Sequence, residues 1–130
     1  MIHYNVVAAV VCHNGKYLCM QKGKTKFEYT SYKWEFPGGK IEPGETPQQA
    51  LACELMEEME YPVEVGEELV TVNHEYPDFS ITMTAYLCTP KAEADGFKRR
   101  EHADSKWCSQ EELKGLDWAA ADVDVVEYIL

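Results

Sequence analysis

From Tyr4 to Cys12 almost every position is apolar, and several are β-branched. That is the pattern of a strand covered on both faces. His13-Asn14-Gly15-Lys16 is a hairpin signal, and Tyr17 to Lys22 is its return strand. Gly23 to Tyr32 is polar and rich in lysine, a loop. Lys33 to Pro37 is a short strand that runs into glycines. Val63 to Glu75 and Phe79 to Cys88 read as two strands around Tyr76-Pro77-Asp78. In the second of them Ile81, Met83, Ala85 and Leu87 alternate with Thr82, Thr84, Tyr86 and Cys88. Lys91 to Ser105 is a polar loop, and Lys106 to Ser109 a last short strand. Ser109, with Glu112 three residues on, caps a short helix. Val123, Val126, Tyr128 and Ile129 then mark an apolar C-terminal helix.

The helical period is clearest between these strands. Gly38, Gly39, Pro43 and Gly44 make a tight loop, because glycine tolerates positive φ and proline fixes it. Thr46 then caps a helix, Pro47 suits its first turn, and Gln49 completes a T-x-x-Q capping box. Leu51, Leu55 and Met59 recur at i, i+4 and i+8, with Ala52 and Met56 beside them, which predicts one apolar stripe. Glu54, Glu57 and Glu58 fall opposite it at i, i+3 and i+4, three carboxylates on one face with no Lys or Arg in the helix. Such a face is either solvated or holds a divalent cation. An incomplete cage of hard oxygen donors suits Mg²⁺, or Mn²⁺, that also holds a phosphate.

Composition narrows the partners. A chain of 130 residues with 45% hydrophobic content is one globular domain, residues 1–130. A net charge of −11 argues against a nucleic-acid polymer or an acidic membrane surface, and leaves room for a small nucleotide bridged by a cation. No apolar run reaches a membrane-spanning length, and the N-terminus lacks the marks of a secretory signal. The five cysteines are scattered without a C-x-x-C pair, which points to reduced thiols in a cytoplasmic protein.

The spacing from Gly39 through Glu45 to Cys53-Glu54-Leu55-Met56-Glu57-Glu58-Met59-Glu60-Tyr61 resembles the signature of the Nudix hydrolases, G-x5-E-x7-R-E-U-x-E-E-x-G-U. Gly39, Glu45, Glu54, Leu55, Glu57, Glu58 and Tyr61 match. Cys53 stands where the family has an arginine that ion-pairs within the box, and cannot supply that fork of donors. Glu60 stands where the family has a glycine that ends the helix. A left-handed residue there would be strained by roughly 1–2 kcal/mol; otherwise the helix runs on towards Pro62.

The strings WEFPGGKIEPGE and HEYPDFSITMTAYLC look like the MutT-type branch, which cleaves nucleoside triphosphates. The resemblance implies an α/β fold, an α/β/α sandwich with a mixed β-sheet. It implies a cation held by Glu54, Glu57, Glu58 and the Gly38 carbonyl, and in-line attack of water on phosphorus. Glu101, six residues before Trp107, would join the metal site, and Glu54 or Glu101 would take the proton. Phe36 would line the base pocket, its other reading being a core aromatic. Asp122 would read the base edge, cap the last helix, or both. Lys22 would meet phosphate or base from the rim, and Arg99 and Arg100 either meet phosphate or are simply exposed. The basic residue that follows the Pro-Asp pair in some members is Phe79 here. The reaction implied is Mg²⁺-dependent hydrolysis of a triphosphate, CTP-type or an oxidised purine, to monophosphate and pyrophosphate, by a monomer or homodimer. A Nudix enzyme for another nucleoside diphosphate derivative, or a weakened nucleotide sensor, are the alternatives.

Overall fold

Successive residues of the first strand are buried in different layers of the molecule. In the computed structural model, which describes residues 1–130, β1 (Ile2–His13) sends Val7, Ala9 and Val11 to one face and Ala8 and Val10 to the other. The period of two along a strand produces this split. The first face is covered by α1 (Pro47–Met59), through Ala50, Leu51, Leu55 and Met59. The second is covered by the short α2 (Gln110–Leu113) and by α3 (Ala120–Ile129), through Leu113, Ala121, Val125 and Val126. The result is an α/β/α sandwich.

β1 turns into β2 (Lys16–Lys22) through Asn14 and Gly15, both at positive φ (52° and 76°), as the hairpin signal required. Further along the chain come β3 (Trp34–Glu35), β4 (Gly38–Lys40), β5 (Val63–Glu75), β6 (Phe79–Pro90) and β7 (His102–Cys108). The sheet order is β3-β2-β1-β6-β5, with β4 on β1 and β7 on β2. β1 runs parallel to β6 from Ile2↔Phe79 to Val11↔Cys88, while the other pairings are antiparallel, so the sheet is mixed. In β6, Met83 and Ala85 pack under α3, and Tyr86 and Cys88 pack under α1. The alternation read from the sequence therefore divides two cores, not core from solvent.

Five details differ from the sequence reading. Gly38 and Gly39 are not in the turn: they lie in β4, paired with β1, and of Gly38, Gly39 and Gly44 only the last has positive φ. β7 begins at His102 and not at Lys106, because its first residues pair with β2 up to Lys22. Met56 is exposed, so the buried stripe of α1 is carried by Ala50 with Leu51, Leu55 and Met59. Val123 and Tyr128 are exposed; α3 buries Val126, as read, together with Ala121, Asp122 and Val125. Asp122 is not the N-cap of α3; Ala119 holds that place. No helix is long and apolar enough to cross a membrane. All five cysteines are free thiols, and only Cys53 is exposed.

Candidate active site

β4, before the turn into α1, is fitted to β1 beneath it and to the helix beside it. A Cβ on Gly38 would overlap the Val7 carbonyl, and one on Gly39 would lie 2.5 Å from the Glu54 carboxylate. Glycine at 39 is what lets Glu54 lie flat against the chain. Glu45 organises the turn, its carboxylate accepting the Glu42 N–H at 3.0 Å. The capping box forms as read: Thr46 Oγ1 accepts the Gln49 N–H at 3.1 Å, and Gln49 Oε1 accepts the Thr46 N–H at 3.0 Å.

α1 then presents its acids. Burial, followed by the charges of Glu54, Glu101 and Glu35, pushes the Glu58 carboxyl up to about 8. Glu54 is raised by burial first and then by Glu57. Glu57 is exposed and does not line the cleft; it accepts a hydrogen bond from Cys53 Sγ at 3.4 Å. No three of these acids stand close enough together to hold a metal ion as they are placed. An all-oxygen donor set in which Glu57 raises Glu54, and Glu54 and Glu101 raise Glu58, fits a hard divalent ion, which would relieve that repulsion.

The helix ends at Glu60, in the left-handed conformation (φ 49°, ψ 39°), so the strain of the two readings is the one adopted. Two cations meet its carboxylate, Lys98 at 3.2 Å and Arg100. The Lys98 N–H also donates to the Met59 carbonyl at 2.8 Å. The segment leading into Glu101 is thus docked on the end of α1.

A second cluster lies at the far end of the site. The Trp34 N–H donates to the Asp117 carbonyl at 2.9 Å, and the Ala119 N–H donates back to the Trp34 carbonyl at 2.8 Å. These bonds bring the start of α3 to β3, where Asp122 Oδ1 accepts the Phe36 N–H at 3.0 Å. Asp122 is only 5% exposed. Burial, then the Glu35 charge, raises its pKa well above the usual carboxylate range. Phe36 is buried and stacks on Trp118 at 4.8 Å between centroids. Lys22 sits 3.5 Å from Glu35, whose other oxygen meets His102 Nε2 at 3.0 Å. The His102 side chain is 5% exposed, and its Nδ1 has no partner.

One cleft of about 870 Å³ joins the two ends. Of the residues singled out in the sequence, Lys22, Phe36, Gly38, Glu58, Glu101 and Asp122 line it. Arg99 does not, being turned back to the Ala103 carbonyl (2.7 Å) and Asp104. The sequence reading missed Glu35 and His102, which lie between the acids and Asp122, and an aromatic wall. Phe27, Tyr29, Tyr76 and Phe79 stack in a closed ring, with centroids 4.9 to 5.8 Å apart. Phe79 completes that ring, which is its role in place of a basic residue. Lys24, Lys26 and Lys40 edge the same opening.

A mixed sheet between helices, a glycine-bearing strand against an acidic helix face, and a nucleotide-sized cleft above them define a Nudix-type hydrolase. The NUDIX domain family model matches residues 3–128, and the chain belongs to that family. It is 33% identical to the CTP pyrophosphohydrolase of Escherichia coli K12, over 94% of this chain and 87% of the relative. It is 40% identical to the 8-oxo-dGTP diphosphatase of Proteus vulgaris, over 65% of this chain and 75% of that one. The solution structure of the E. coli ORF135 protein superposes with a TM-score of 0.82 at 32% identity, covering 99% of this chain and 89% of its own.

Proposed function

We propose that this Nudix hydrolase converts a nucleoside triphosphate to its monophosphate and pyrophosphate, with Mg²⁺ as the cation. The observation that carries the reading is the cleft that joins Glu58 of α1 and Glu101 to buried Asp122. Its volume suits a nucleotide with phosphates at one end and base at the other.

Glu54, Glu57, Glu58 and the Gly38 carbonyl would hold the cation, with Glu101 reaching over from the opposite loop. When bound, the cation neutralises phosphate oxygens and lowers the pKa of a water. Glu101 or Glu54 takes the proton from the attacking water. Lys22, Lys24 and Lys26 line the route of an anionic tail. Phe36 backs the base pocket, and the Phe27–Phe79 wall offers π-faces to the base or sugar.

Asp122 reads the base edge. A carboxyl held neutral by burial presents one donor beside one acceptor. Cytosine, with a ring acceptor next to its amino donor, complements that pair. An oxidised purine, with an N–H beside a carbonyl, does so in the opposite sense. A relative matched over 94% of this chain is named for CTP and others for 8-oxo-dGTP, which supports testing both kinds of base. The free thiols fit a reducing cytosol as the working compartment.

The test is pyrophosphate release with Mg²⁺ across CTP, dCTP, 8-oxo-dGTP, the ordinary triphosphates, a nucleotide sugar and a dinucleoside polyphosphate. Turnover of a triphosphate, lost in Glu57→Gln, supports the proposal. Turnover of only the sugar or the dinucleotide overturns it in favour of another Nudix substrate. Tight nucleotide binding without turnover overturns it in favour of a sensor.

A further inference from the structure

Glu60 is an unexpected residue at a left-handed helix end. Its side chain is not idle: it gathers Lys98 and Arg100, the two cations that flank Arg99 just before Glu101. The earlier part of that loop has its own anchors. Tyr61 Oη donates to the Glu93 carbonyl at 3.0 Å, Tyr61 packs edge-on against Phe97, and Trp107 Nε1 donates to the Ala94 carbonyl at 2.9 Å. The final part has fewer: the Arg99 guanidinium donates to the Ala103 carbonyl and to Asp104. The last backbone bond is Lys98 to Met59, and none holds Arg99, Arg100 or Glu101 before β7 begins. Glu101 stands between that bond and His102, which pairs with Lys22, and the side-chain tie from its side of the loop to α1 is Glu60.

We propose that Glu60 is a positioning residue: through Lys98 and Arg100 it holds the 98–101 segment so that Glu101 faces Glu54 and Glu58. The proposal rests on the catalytic reading of Glu101 given above. It gives a reason for a Cβ-bearing residue where the backbone asks for glycine. The backbone strain stabilises nothing, and exposed ion pairs contribute little to folding. Their effect is on geometry, where a displacement of about 1 Å at a reacting group costs on the order of a hundredfold in rate. The side chain acts on Glu101 and not on the substrate, so its loss shows in kcat and leaves KM nearly unchanged.

The experiment compares Glu60→Gly and Glu60→Gln with wild type and with Glu101→Gln. Glycine relieves the backbone and removes the tie; glutamine keeps the strain and removes the charge. CTP and 8-oxo-dGTP serve as substrates, with Tm and the rate of tryptic cleavage after Lys98 and Arg100 measured in parallel. Expected for Glu60→Gly is an unchanged or higher Tm, faster cleavage at both sites, and kcat lower by about tenfold. Glu60→Gln should match it in kcat and cleavage with a lower Tm. If Glu101→Gln is slow but both Glu60 variants turn over like wild type, the reading of Glu101 stands and this proposal alone is overturned. If Glu101→Gln keeps full turnover, the catalytic reading itself is overturned, and this one with it. Unchanged cleavage after Lys98 and Arg100 in Glu60→Gly also overturns the tie, whatever the kinetics.

Discussion

The Phe36 N–H donates to Asp122 Oδ1 at 3.0 Å across 86 positions of sequence, joining the segment before β4 to the first turn of the last helix. Both groups are buried. Asp122→Ala leaves that N–H without a partner, at a cost of about 1–3 kcal/mol. Asp122→Asn keeps an acceptor and should cost less. Urea unfolding of the three proteins checks the order. An alanine variant as stable as wild type would remove the bond from the account of the fold. Both variants should also raise KM for the preferred triphosphate, because the same carboxyl faces the cleft.

Stability should fall as the pH rises. Burial raises Asp122 in the folded state, so the folded protein holds that proton more tightly than the unfolded chain. Stability from such a group is full below the ordinary carboxylate range and is lost as pH rises through the folded value. Glu58, pushed up to about 8, acts with the same sign and sets the upper end of the window. Glu35 faces Asp122 and strengthens the effect, while the Phe36 N–H and Lys22 oppose it. With EDTA present, Tm should decline from about pH 5 to pH 9, and Asp122→Asn should flatten the decline. An equal slope in the two proteins would discard Asp122 as a source.

The two β4 glycines should fail in different ways. An added methyl at Gly38 meets backbone, the Val7 carbonyl of the central strand, which cannot move without breaking the sheet. At Gly39 it meets the Glu54 side chain, which can swing away. Gly38→Ala should therefore lose several degrees of Tm. Gly39→Ala should keep its fold and lose most of its kcat. Circular-dichroism melts beside the turnover assay separate them; equal Tm losses would contradict the contrast.

The parts legible in the sequence are those whose cause is local. Asn14-Gly15 demands positive φ, Thr46 and Gln49 satisfy each other within one turn, and the three glutamates share a face by helical spacing alone. The parts that were not legible come from long-range pairing. Glu35 becomes a site residue because β3 and β7 both pair with β2, which brings Lys22 and His102 to its two oxygens. The ring of Phe27, Tyr29, Tyr76 and Phe79 joins a loop to a distant turn. Met56 shows the limit even of periodicity, since how far an apolar stripe is covered depends on the width of the sheet beneath it. Glu60 was legible as a departure, but Lys98 and Arg100, the cations that meet it, come from a distant loop.

Cys53 occupies the place of the box arginine and makes one weak contact, donating from Sγ to Glu57 at 3.4 Å. That hydrogen bond, ahead of the Glu57 charge, raises the thiol pKa, so the group stays neutral and offers no charge to the acids. An arginine at this exposed site reaches the same carboxylate with a charge and a fork of donors. Cys53→Arg should raise kcat by holding Glu57 in one orientation. Steady-state kinetics with saturating Mg²⁺ decide it, and an unchanged or lower kcat counts against the missing arginine as a limit on rate.

Glu58 should show stability and activity moving in opposite directions. Its neutral form is favoured by burial and by Glu54, Glu101 and Glu35, so its charge is a cost to the metal-free fold. Glu58→Gln removes that charge at nearly constant shape. In EDTA at about pH 8, near the raised value of Glu58, Tm should rise relative to wild type. On adding Mg²⁺ the order should reverse, because the wild type gains stability from the ion by mass action and the variant gains less. Turnover of the variant should drop by roughly a hundredfold or more, as when a preorganised electrostatic group is removed. The decisive measurement is a Mg²⁺ titration of Tm for both proteins. Parallel curves would mean that Glu58 neither carries the strain nor binds the ion, and the acidic face of α1 would then need a different explanation.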